Sequence, residues 1–432
     1  MNNEQYLDKA RDILGTRTPL MDKDALYSFA DKFIKDRRKY LDAYEKGGSP
    51  LYLFDEGALK RKAKEFKDAF SSSLRKVSIF YALKSNSHPF VSECLIGEGY
   101  GIDVSSGKEL GQVLGYSPEK IIFSGPGKTS DELSLACDNA GKVTVLLDSF
   151  GELYRLSEAA EKKGVRIKAG VRLMIEEKGL WRKFGIPLSD IEKFFDEAGK
   201  CPGVELCGLQ FHSSWNLDAS KQTAFISRLG AVMGRMKGSV LQKIKFIDIG
   251  GGYWPVQGEW MQPSATPEGR LKQFIDPGPE KMEHYCVPSA EIGEFSRCLS
   301  KALKENVLKH VDCTVYLEPG RWISHEAMHI LVKVVDKKAD DIIICDGGTN
   351  MIGWERYETD YFPVINLSQP SLDERSCMIF GSLCTPHDLW GYSYFGEDIN
   401  PGDVLLIPTQ GAYTYSLRQE FIKPIPAVHR LQ

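Results

Sequence analysis

In Val77-Ser-Ile-Phe-Tyr-Ala-Leu-Lys-Ser-Asn86, an apolar run typical of a buried strand is followed at once by a lysine, Lys84. A lysine at that position either pairs with an acid or uses its amine as a nucleophile, because desolvation disfavours the charged form. Position alone favours a paired or snorkelling lysine. The choice between the two interpretations therefore depends on the segments around it in the chain.

Helical stretches alternate with short apolar strands between residues 57 and 325. The predicted strands are 78–82, 121–123, 144–147, 167–173, 206–212, 246–249 and 314–317. This alternation favours a parallel barrel or a doubly wound sheet. In a barrel the carboxyl ends of the strands share the face on which active sites are built. The segments that follow those ends are polar or glycine-rich: Lys84, Asp103, Ser124-Gly-Pro-Gly127, Arg172, His212, Gly250-Gly-Gly252 and Glu318-Pro-Gly-Arg321.

Three further segments flank the predicted barrel of residues 57–325. Residues 1–48 are charged, with apolar residues at helical spacing, and predict an N-terminal helical extension. Residues 49–56 contain a short strand, Leu51-Tyr-Leu-Phe54, that is expected to join a β-domain. Residues 326–432 are β-rich, with predicted strands at 330–335, 341–345, 376–380 and 404–407, and predict that C-terminal β-domain.

The composition is that of an ordinary globular protein and excludes several kinds of partner. Of the 432 residues 42% are apolar and 26% charged, and the formal charge of −4 provides no basic surface for nucleic acid. No apolar run reaches transmembrane length, and the polar N-terminus predicts no signal peptide. The ten cysteines include no CxxC pair, which favours reduced thiols in the cytoplasm. We therefore expect neither a nucleic-acid nor a membrane partner.

Each motif has an ordinary structural interpretation when it is taken alone. Gly250-Gly-Gly252 lets backbone N–H groups approach an anion such as a phosphate, or forms a bare turn. Glu318-Pro-Gly-Arg321 places an acid and an arginine at one strand end, or forms a local ion pair. His212 and Cys384 fit a half-buried histidine and a buried thiol equally well.

His325-Glu-Ala-Met-His329 matches the helical pattern of zinc proteases, in which two histidines bind the metal and the glutamate activates water. The segment continues directly into the β-rich stretch Ile330-Leu-Val-Lys-Val-Val335, which leaves little room for a helix. No third ligand follows in a helical context. We therefore expect no metal site.

Together and in order, the segments resemble those of the fold-type III pyridoxal-phosphate decarboxylases, which include the ornithine, arginine and diaminopimelate enzymes. The resemblance extends from Pro50 to Tyr413. Its segments are Tyr81-Ala-Leu-Lys84-Ser-Asn, Asp103-Val-Ser-Ser-Gly-Lys-Glu109-Leu, the histidine segment, Gly250-Gly-Gly252, Glu318-Pro-Gly-Arg321, Asp346-Gly-Gly, Leu383-Cys384 with Asp388, and Gly402-Asp403 leading to Gly411-Ala-Tyr413. The resemblance implies an α/β fold, an alanine-racemase-like (β/α)8 TIM barrel followed by a C-terminal β-domain, with pyridoxal 5'-phosphate as the cofactor.

The resemblance also implies a role for each residue. Lys84 would form a Schiff base with the cofactor, Glu318 would face its ring nitrogen, and His212 would stack on its ring. Asp103 and Glu109 would orient neighbouring groups. The phosphate would be held by Gly250, Gly251, Gly252, Gly320, Arg321 and Tyr413. Substrate contacts would come from Arg321, Asp346, Arg356, Thr385, Asp388 and Tyr413. Cys384 would return a proton to the substrate carbon across the interface of a homodimer with shared active sites.

Positions near the distal end of the substrate depart from the ornithine and diaminopimelate enzymes. The acid that follows the cysteine in those enzymes is Thr385 here, and the serine three residues after the histidine is Trp215. Arg356 and Tyr361 lie near, but not on, the spacing of the pair that binds the distal carboxylate of diaminopimelate. The Leu-Cys-Thr-Pro-x-Asp form resembles a subgroup that acts on conjugated amino acids in siderophore and antibiotic pathways.

The predicted function is therefore decarboxylation of an amino acid or an amino-acid conjugate, and three alternatives remain open. A diaminopimelate, ornithine or lysine decarboxylase of primary metabolism would share the same residues. A racemase on this fold would have an arginine where Glu318 stands. A cofactor-free regulatory homologue would not need Lys84 and Cys384, which are both present.

Overall fold

The computed structural model describes residues 1–276, 282–353 and 358–431. The chain forms two compact units. The barrel unit comprises Leu59–Pro255 and Ala290–Ser324, and the β-unit comprises Met1–Ala58, Val256–Ser289 and His325–Gln432. The sequence had suggested one continuous barrel over residues 57–325, whereas the structure groups Val256–Ser289 with the β-unit.

The strands of the described residues are numbered in chain order. They are β1 Leu51–Phe54, β2 Val77–Ala82, β3 Gly101–Val104, β4 Ile121–Phe123, β5 Val143–Leu147, β6 Ile167–Arg172, β7 Val204–Gln210, β8 Phe246–Asp248, β9 Glu259–Met261, β10 Tyr285–Val287, β11 Thr314–Leu317, β12 Met328–Ala339, β13 Ile342–Cys345, β14 Ile365–Asn366, β15 Glu374–Phe380, β16 Leu389–Phe395, β17 Val404–Ile407 and β18 Val428–Arg430.

The α-helices are numbered in the same way. They are α1 Asn3–Gly15, α2 Lys23–Lys35, α3 Arg37–Gly47, α4 Glu56–Ser71, α5 Pro89–Gly97, α6 Gly107–Leu114, α7 Ser130–Asp138, α8 Phe150–Lys163, α9 Ile191–Ala198, α10 Ser220–Met233, α11 Gly238–Leu241, α12 Pro267–Ile275, α13 Ile292–Asn306 and α14 Arg321–Ser324. Within the described ranges, none of these helices has both the length and the apolar character that crossing a bilayer requires.

Eight parallel strands close the barrel in the order β11-β2-β3-β4-β5-β6-β7-β8. The predicted (β/α)8 barrel is thus confirmed. Its interior is filled by large side chains, among which Phe246 and Tyr316 stack with ring centroids 4.5 Å apart. Side chains alternate along a strand, so the residue two positions further on points to the same side. Asp248 and Glu318 therefore follow Phe246 and Tyr316 on the inner side, at the carboxyl end of the barrel.

Helix α8 shows how the sequence fixes a barrel helix. The Ser149 side chain accepts a hydrogen bond from the N–H of Glu152 at the first turn, and Gly164 ends the helix in the left-handed conformation. Leu153, Leu156 and Ala160 recur at helical spacing and are buried. This apolar stripe is the face that a barrel helix packs against the sheet.

The β-unit is built on an eight-stranded sheet in the order β13-β15-β16-β14-β17-β12-β1-β18. Strand β1, in the segment 49–56 that was expected to join a β-domain, lies between β12 and β18. The sheet is buried on both faces, since Tyr52 belongs to one apolar cluster and Leu51 and Leu53 to another. Helices α2 and α3 contribute to the second cluster through Phe33 and Tyr40. Helices α2 and α3 are thus part of the β-unit core.

The zinc-protease interpretation of residues 325–329 is wrong. His325–Ala327 forms a single 3-10 turn, and His329 already lies in strand β12. The Nδ1 atom of His329 accepts a hydrogen bond from the N–H of Thr409 at 3.0 Å. The two histidines therefore lack the shared helical face on which that metal site depends.

Candidate active site

Lys84 lies beside a buried acid at the carboxyl end of the barrel. It sits in a 3-10 turn directly after β2, and its Nζ lies 3.0 Å from Oδ2 of Asp103 in β3. The other carboxylate oxygen accepts a hydrogen bond from the hydroxyl of Ser124, after β4, at 2.6 Å. Asp103 is fully buried, whereas the Lys84 side chain keeps 36% of its exposure. The Lys84 side chain is thus oriented by Asp103 and remains partly exposed.

Burial raises the pKa of Asp103 to about 6, although the Lys84 charge and the Ser124 hydrogen bond act in the opposite direction. Glu109 lies one helix further on and has a different task. Its Oε2 accepts the N–H of Ser105 at 2.6 Å, which fixes the turn between β3 and α6. Burial also raises the pKa of Glu109.

His212 and Glu318 meet at the loops that follow β7 and β11. The Nδ1 atom of His212 accepts the N–H of Gly251 at 3.1 Å, and Oε2 of Glu318 lies 3.6 Å from the same nitrogen. A ring nitrogen that accepts a hydrogen bond carries no proton, so it does not donate to Glu318. Burial lowers the pKa of His212, which favours the neutral imidazole.

Glu318 is ionised although only 2% of it is exposed. Burial acts to raise its pKa, but its polar neighbours and the Lys84 charge lower the pKa to about 2. Gln210 donates to Oε1 of Glu318 at 3.3 Å. Burial raises the pKa of the adjacent Asp248 well above its ordinary value, and the charge of Glu318 acts in the same direction. Two buried carboxyl groups cannot both ionise at low cost, so Asp248 holds the proton of this pair.

The glycine loop after β8 approaches its neighbours more closely than any side chain would permit. Gly250 and Gly252 have φ of 67° and 81°, and a Cβ on Gly251 would collide with the carbonyl oxygen of Glu318. Two N–H groups predicted to hold a phosphate are engaged within the loop: Gly250 donates to Asp248 and Gly251 donates to His212. Both N–H groups thus bond to neighbouring side chains in this structure.

Arg321 begins α14, immediately after the Glu318-Pro-Gly segment. Its guanidinium lies over the ring of Trp254, 4.6 Å from the centroid. The barrel unit thus presents an amine, an ionised carboxylate and a guanidinium beside a glycine-lined turn. These groups match an aldehyde, a ring nitrogen and a phosphate, so the residues fit pyridoxal phosphate.

Two acids predicted to contact the substrate have structural tasks within the β-unit. Asp388 is buried, and its oxygens accept the N–H groups of Thr349 and Leu383, each at 2.6 Å. Oδ1 of Asp346 accepts the N–H of Lys333 at 2.9 Å and the hydroxyl of Ser49 at 3.0 Å. Both carboxylates thus hold backbone segments of the β-unit together.

The other predicted residues of the β-unit have varied surroundings. Cys384 is exposed, whereas the other nine cysteines are buried or half-buried. Thr385 is half-buried, and its hydroxyl accepts the N–H of His387 at 3.4 Å. Tyr413 has a left-handed backbone with φ of 60°. Arg356 lies outside the described residues.

Sequence reasoning missed several residues of the site. Gln210 donates a hydrogen bond to Glu318, and Asp248 holds the proton of the Asp248–Glu318 pair. Trp254 lies under the guanidinium of Arg321. A usable signal was present for Asp248. A polar residue two positions after a large apolar one, as in Phe246-Ile-Asp248, marks the inner side of a barrel strand near its end.

Comparison with known proteins identifies the family. Residues 56–325 match the pyridoxal-binding domain of the pyridoxal-dependent decarboxylases. The chain belongs to this decarboxylase family. The match confirms the predicted cofactor, pyridoxal phosphate, and the predicted enzyme class, a carboxy-lyase that acts on an amino acid.

Relatives of the decarboxylase act on more than one substrate. A diaminopimelate decarboxylase of Methanothermobacter thermautotrophicus is 28% identical over 401 residues, covering 88% of this chain and 86% of that one. An L-glutamyl-[BtrI acyl-carrier protein] decarboxylase of Niallia circulans is 24% identical, covering 85% of each chain. The crystal structure of Helicobacter pylori diaminopimelate decarboxylase with L-lysine has a TM-score of 0.74 at 22% identity, over 91% of this chain and 94% of that one, which establishes the common fold.

Proposed function

We propose that Lys84 carries the cofactor and that the enzyme releases carbon dioxide from an amino acid whose distal end is not a free ammonium. The observation that carries the reaction type is Glu318, an ionised carboxylate in an almost fully buried position beside His212 and Lys84. A carboxylate there would keep the cofactor's ring nitrogen protonated. An arginine, as in the racemases, would not.

Pyridoxal phosphate, when bound, supplies an electron sink for the carbanion left when carbon dioxide departs. The protein's own groups would prepare that chemistry. Asp103 would orient the Lys84 amine and exchange protons with it, because its pKa is raised towards neutrality. His212, neutral and anchored on Gly251, would present its ring to the cofactor. Tyr413 would add a phenol to the phosphate contacts of Gly252, Gly320 and Arg321.

Cys384 would return the proton to the substrate carbon. It is the exposed thiol among the ten cysteines, so a donor role does not require the surrounding structure to open. We propose that this proton transfer occurs in a homodimer, in which the Cys384 of each subunit completes the active site of the other.

The substrate class follows from Thr385. An alkyl ammonium held there without an acid would cost on the order of several kcal/mol, because an unpaired charge would be desolvated. Asp346 and Asp388 do not readily supply the missing charge, since both accept backbone N–H groups. A hydroxyl suits an amide or an acyl-linked group. The Niallia circulans relative, whose substrate is linked to an acyl-carrier protein, supports such a conjugate. A role in siderophore or antibiotic biosynthesis would follow from the Leu-Cys-Thr-Pro-x-Asp form of the cysteine segment.

The second candidate function is diaminopimelate decarboxylation, which the Methanothermobacter relative favours. Tyr361, which lies near but not on the spacing of the tyrosine that binds the distal carboxylate in the diaminopimelate enzymes, is buried and donates its hydroxyl to Glu374 at 2.8 Å. Its hydroxyl is therefore committed within the β-unit. For this reason the conjugate remains our first proposal.

Carbon dioxide release from a panel of amino acids tests the proposal. Lysine and ornithine with an acylated side-chain amine, and glutamate conjugated through its side-chain carboxyl group, should have a higher kcat/KM than free lysine, ornithine and diaminopimelate. The factor can reach about 10⁴ where a polar group would be left unpaired. Thr385→Asp should shift preference towards the free diamines, whereas the control Thr385→Ser should not. Efficient turnover of free lysine or ornithine would contradict the substrate class, and a preference for diaminopimelate would establish the second candidate.

A further inference from the structure

Two tryptophans and an arginine form a continuous stack in the barrel unit. The rings of Trp215 and Trp254 are stacked, with centroids 5.6 Å apart and an interplanar angle of 28°. The guanidinium of Arg321 lies over Trp254, 4.6 Å from its centroid. Trp215 is 53% exposed, so burial alone does not explain its presence.

Backbone hydrogen bonds bring the three residues together. The N–H of Asn216 donates to the carbonyl of Gly252 at 3.0 Å, and the N–H of Trp254 donates to the carbonyl of Asn216 at 3.1 Å. The buried Asn216 side chain adds a bond from Nδ2 to the carbonyl of Gly251 at 3.2 Å. The loop that carries Trp215 is therefore tied to the glycine loop that carries Trp254.

Trp215 occupies a backbone conformation that disfavours it. Its φ is 55°, in the left-handed region that glycine and asparagine adopt most readily and bulky residues avoid. A chain under selection for stability alone would place one of those smaller residues here. A strained bulky residue that is also exposed indicates that its side chain has a task.

We propose that Trp254 and Trp215 are positioning residues that hold the Arg321 guanidinium in place for the phosphate of the cofactor. This inference rests on the proposed role of Arg321. A guanidinium on an indole face is restrained before the anion arrives, so less rotamer freedom is lost on binding. Trp215 restrains Trp254 by stacking on it. Rotamer freedom worth about 1.4 kcal/mol that is already lost before binding corresponds to about tenfold in affinity.

The test compares the affinities of the cofactor-free protein for pyridoxal phosphate and for pyridoxal, which lacks the phosphate. Trp254→Leu should weaken pyridoxal phosphate binding about tenfold and leave pyridoxal binding unchanged. Trp254→Phe, which keeps an aromatic face, should retain most of the affinity. Arg321→Ala should lose more, and the double variant Trp254→Leu/Arg321→Ala should lose no more than Arg321→Ala alone.

The Trp215→Asn variant tests whether Trp215 positions Arg321 or only stabilises the fold, since asparagine tolerates the left-handed backbone conformation. Its melting temperature without cofactor should be unchanged or higher, while the affinity for pyridoxal phosphate should fall several-fold. Ile422→Asn is the matched control, because Ile422 is 55% exposed and has φ of 63° in the β-unit. It should leave the affinity unchanged.

The possible failures can be told apart. If Arg321→Ala lowers phosphate-dependent affinity but neither tryptophan substitution does, the positioning inference is wrong and the proposed function stands. Trp215→Asn and Trp254→Leu variants that lose affinity for pyridoxal and pyridoxal phosphate equally would also overturn it. If the unmodified protein does not prefer pyridoxal phosphate to pyridoxal, the phosphate role proposed for Arg321 itself fails.

Discussion

At the scale of single residues, the site depends on where one proton resides. Asp248 and Glu318 are both buried, and the Lys84 charge acts to lower the pKa of Glu318. The proton therefore remains on Asp248, whose Oδ1 accepts the N–H of Gly250 at 2.8 Å. This arrangement leaves an ionised carboxylate at the position where the proposed chemistry requires one.

Asp103 should make the stability of the cofactor-free protein depend on pH. Its pKa is about 6 in the folded protein against 3.8 for the ordinary side chain, so between these values the folded state binds more protons than the unfolded state. Stability from this group is therefore complete below about pH 4 and is lost as the pH rises to about 6.

Thermal unfolding of the unmodified protein and of Asp103→Asn between pH 4 and pH 7 measures this effect. Relative to the variant, the unmodified protein should lose stability as the pH rises to about 6, with little further change above that. The other carboxyl groups titrate in both proteins and cancel in the difference. A difference that moves the opposite way would show that the Lys84 charge outweighs burial at Asp103.

The sequence predicted the chemistry-bearing residues of the barrel better than their hydrogen bonds. Lys84, His212 and Glu318 come together as expected, because strand ends in a barrel share one face. The engagement of the Gly250 and Gly251 N–H groups could not be predicted, since it depends on the side-chain positions of Asp248 and His212. Such contacts between distant segments leave no local pattern.

At the scale of secondary-structure elements, two of the strands that the sequence did not predict contain residues of low strand propensity. Strand β3 contains Gly101 and Asp103, and β16 contains Gly391, all residues of low strand propensity. Tertiary contacts override this propensity, since Asp103 meets Lys84 and β16 pairs with β15. Predicted strand 206–212 ends at Gln210, which leaves His212 in the loop where it can reach Gly251.

The glycine loop after β8 should not tolerate even one added methyl group. In Gly251→Ala the new Cβ would collide with the backbone carbonyl of Glu318, so the loop or the carboxylate must shift. We expect a loss of stability of about 1–3 kcal/mol together with weaker cofactor binding. Thermal unfolding and cofactor titration measure the two effects.

Gly111→Ala is the control for that substitution. Gly111 lies on the exposed side of α6, and a Cβ there would have no neighbour within 4 Å. Alanine is the better helix former, so this variant should gain about 0.5–1 kcal/mol and bind the cofactor normally. Equal behaviour of the two variants would remove the close approach of Gly251 and Glu318 as the cause.

At the scale of the whole molecule, the proposed reaction uses two residues, Lys84 and Cys384, that we assign to different subunits of a homodimer. A two-fold homodimer would supply Cys384 from the second subunit. Lys84→Ala and Cys384→Ala should each be nearly inactive alone. After random mixing, half of the dimers would have one intact site of two, giving about a quarter of the full activity.

Steady-state carbon dioxide release from the mixed subunits gives that fraction. Subunit exchange must be demonstrated first, for example by mass-tagged dimers. Exchange without recovery of activity would show that each site is built from a single chain.

The central claim is that Lys84 bonds covalently to pyridoxal phosphate, and borohydride reduction followed by peptide mass mapping tests it most directly. Reduction should fix the cofactor to the peptide that contains Lys84 with a stoichiometry of about one per chain, since the Lys84 amine is the nucleophile that the barrel presents. Lys84→Ala should yield no adduct in this peptide and should lose nearly all turnover. An adduct on any other lysine of the unmodified protein, with the Lys84 peptide unlabelled, would contradict the account.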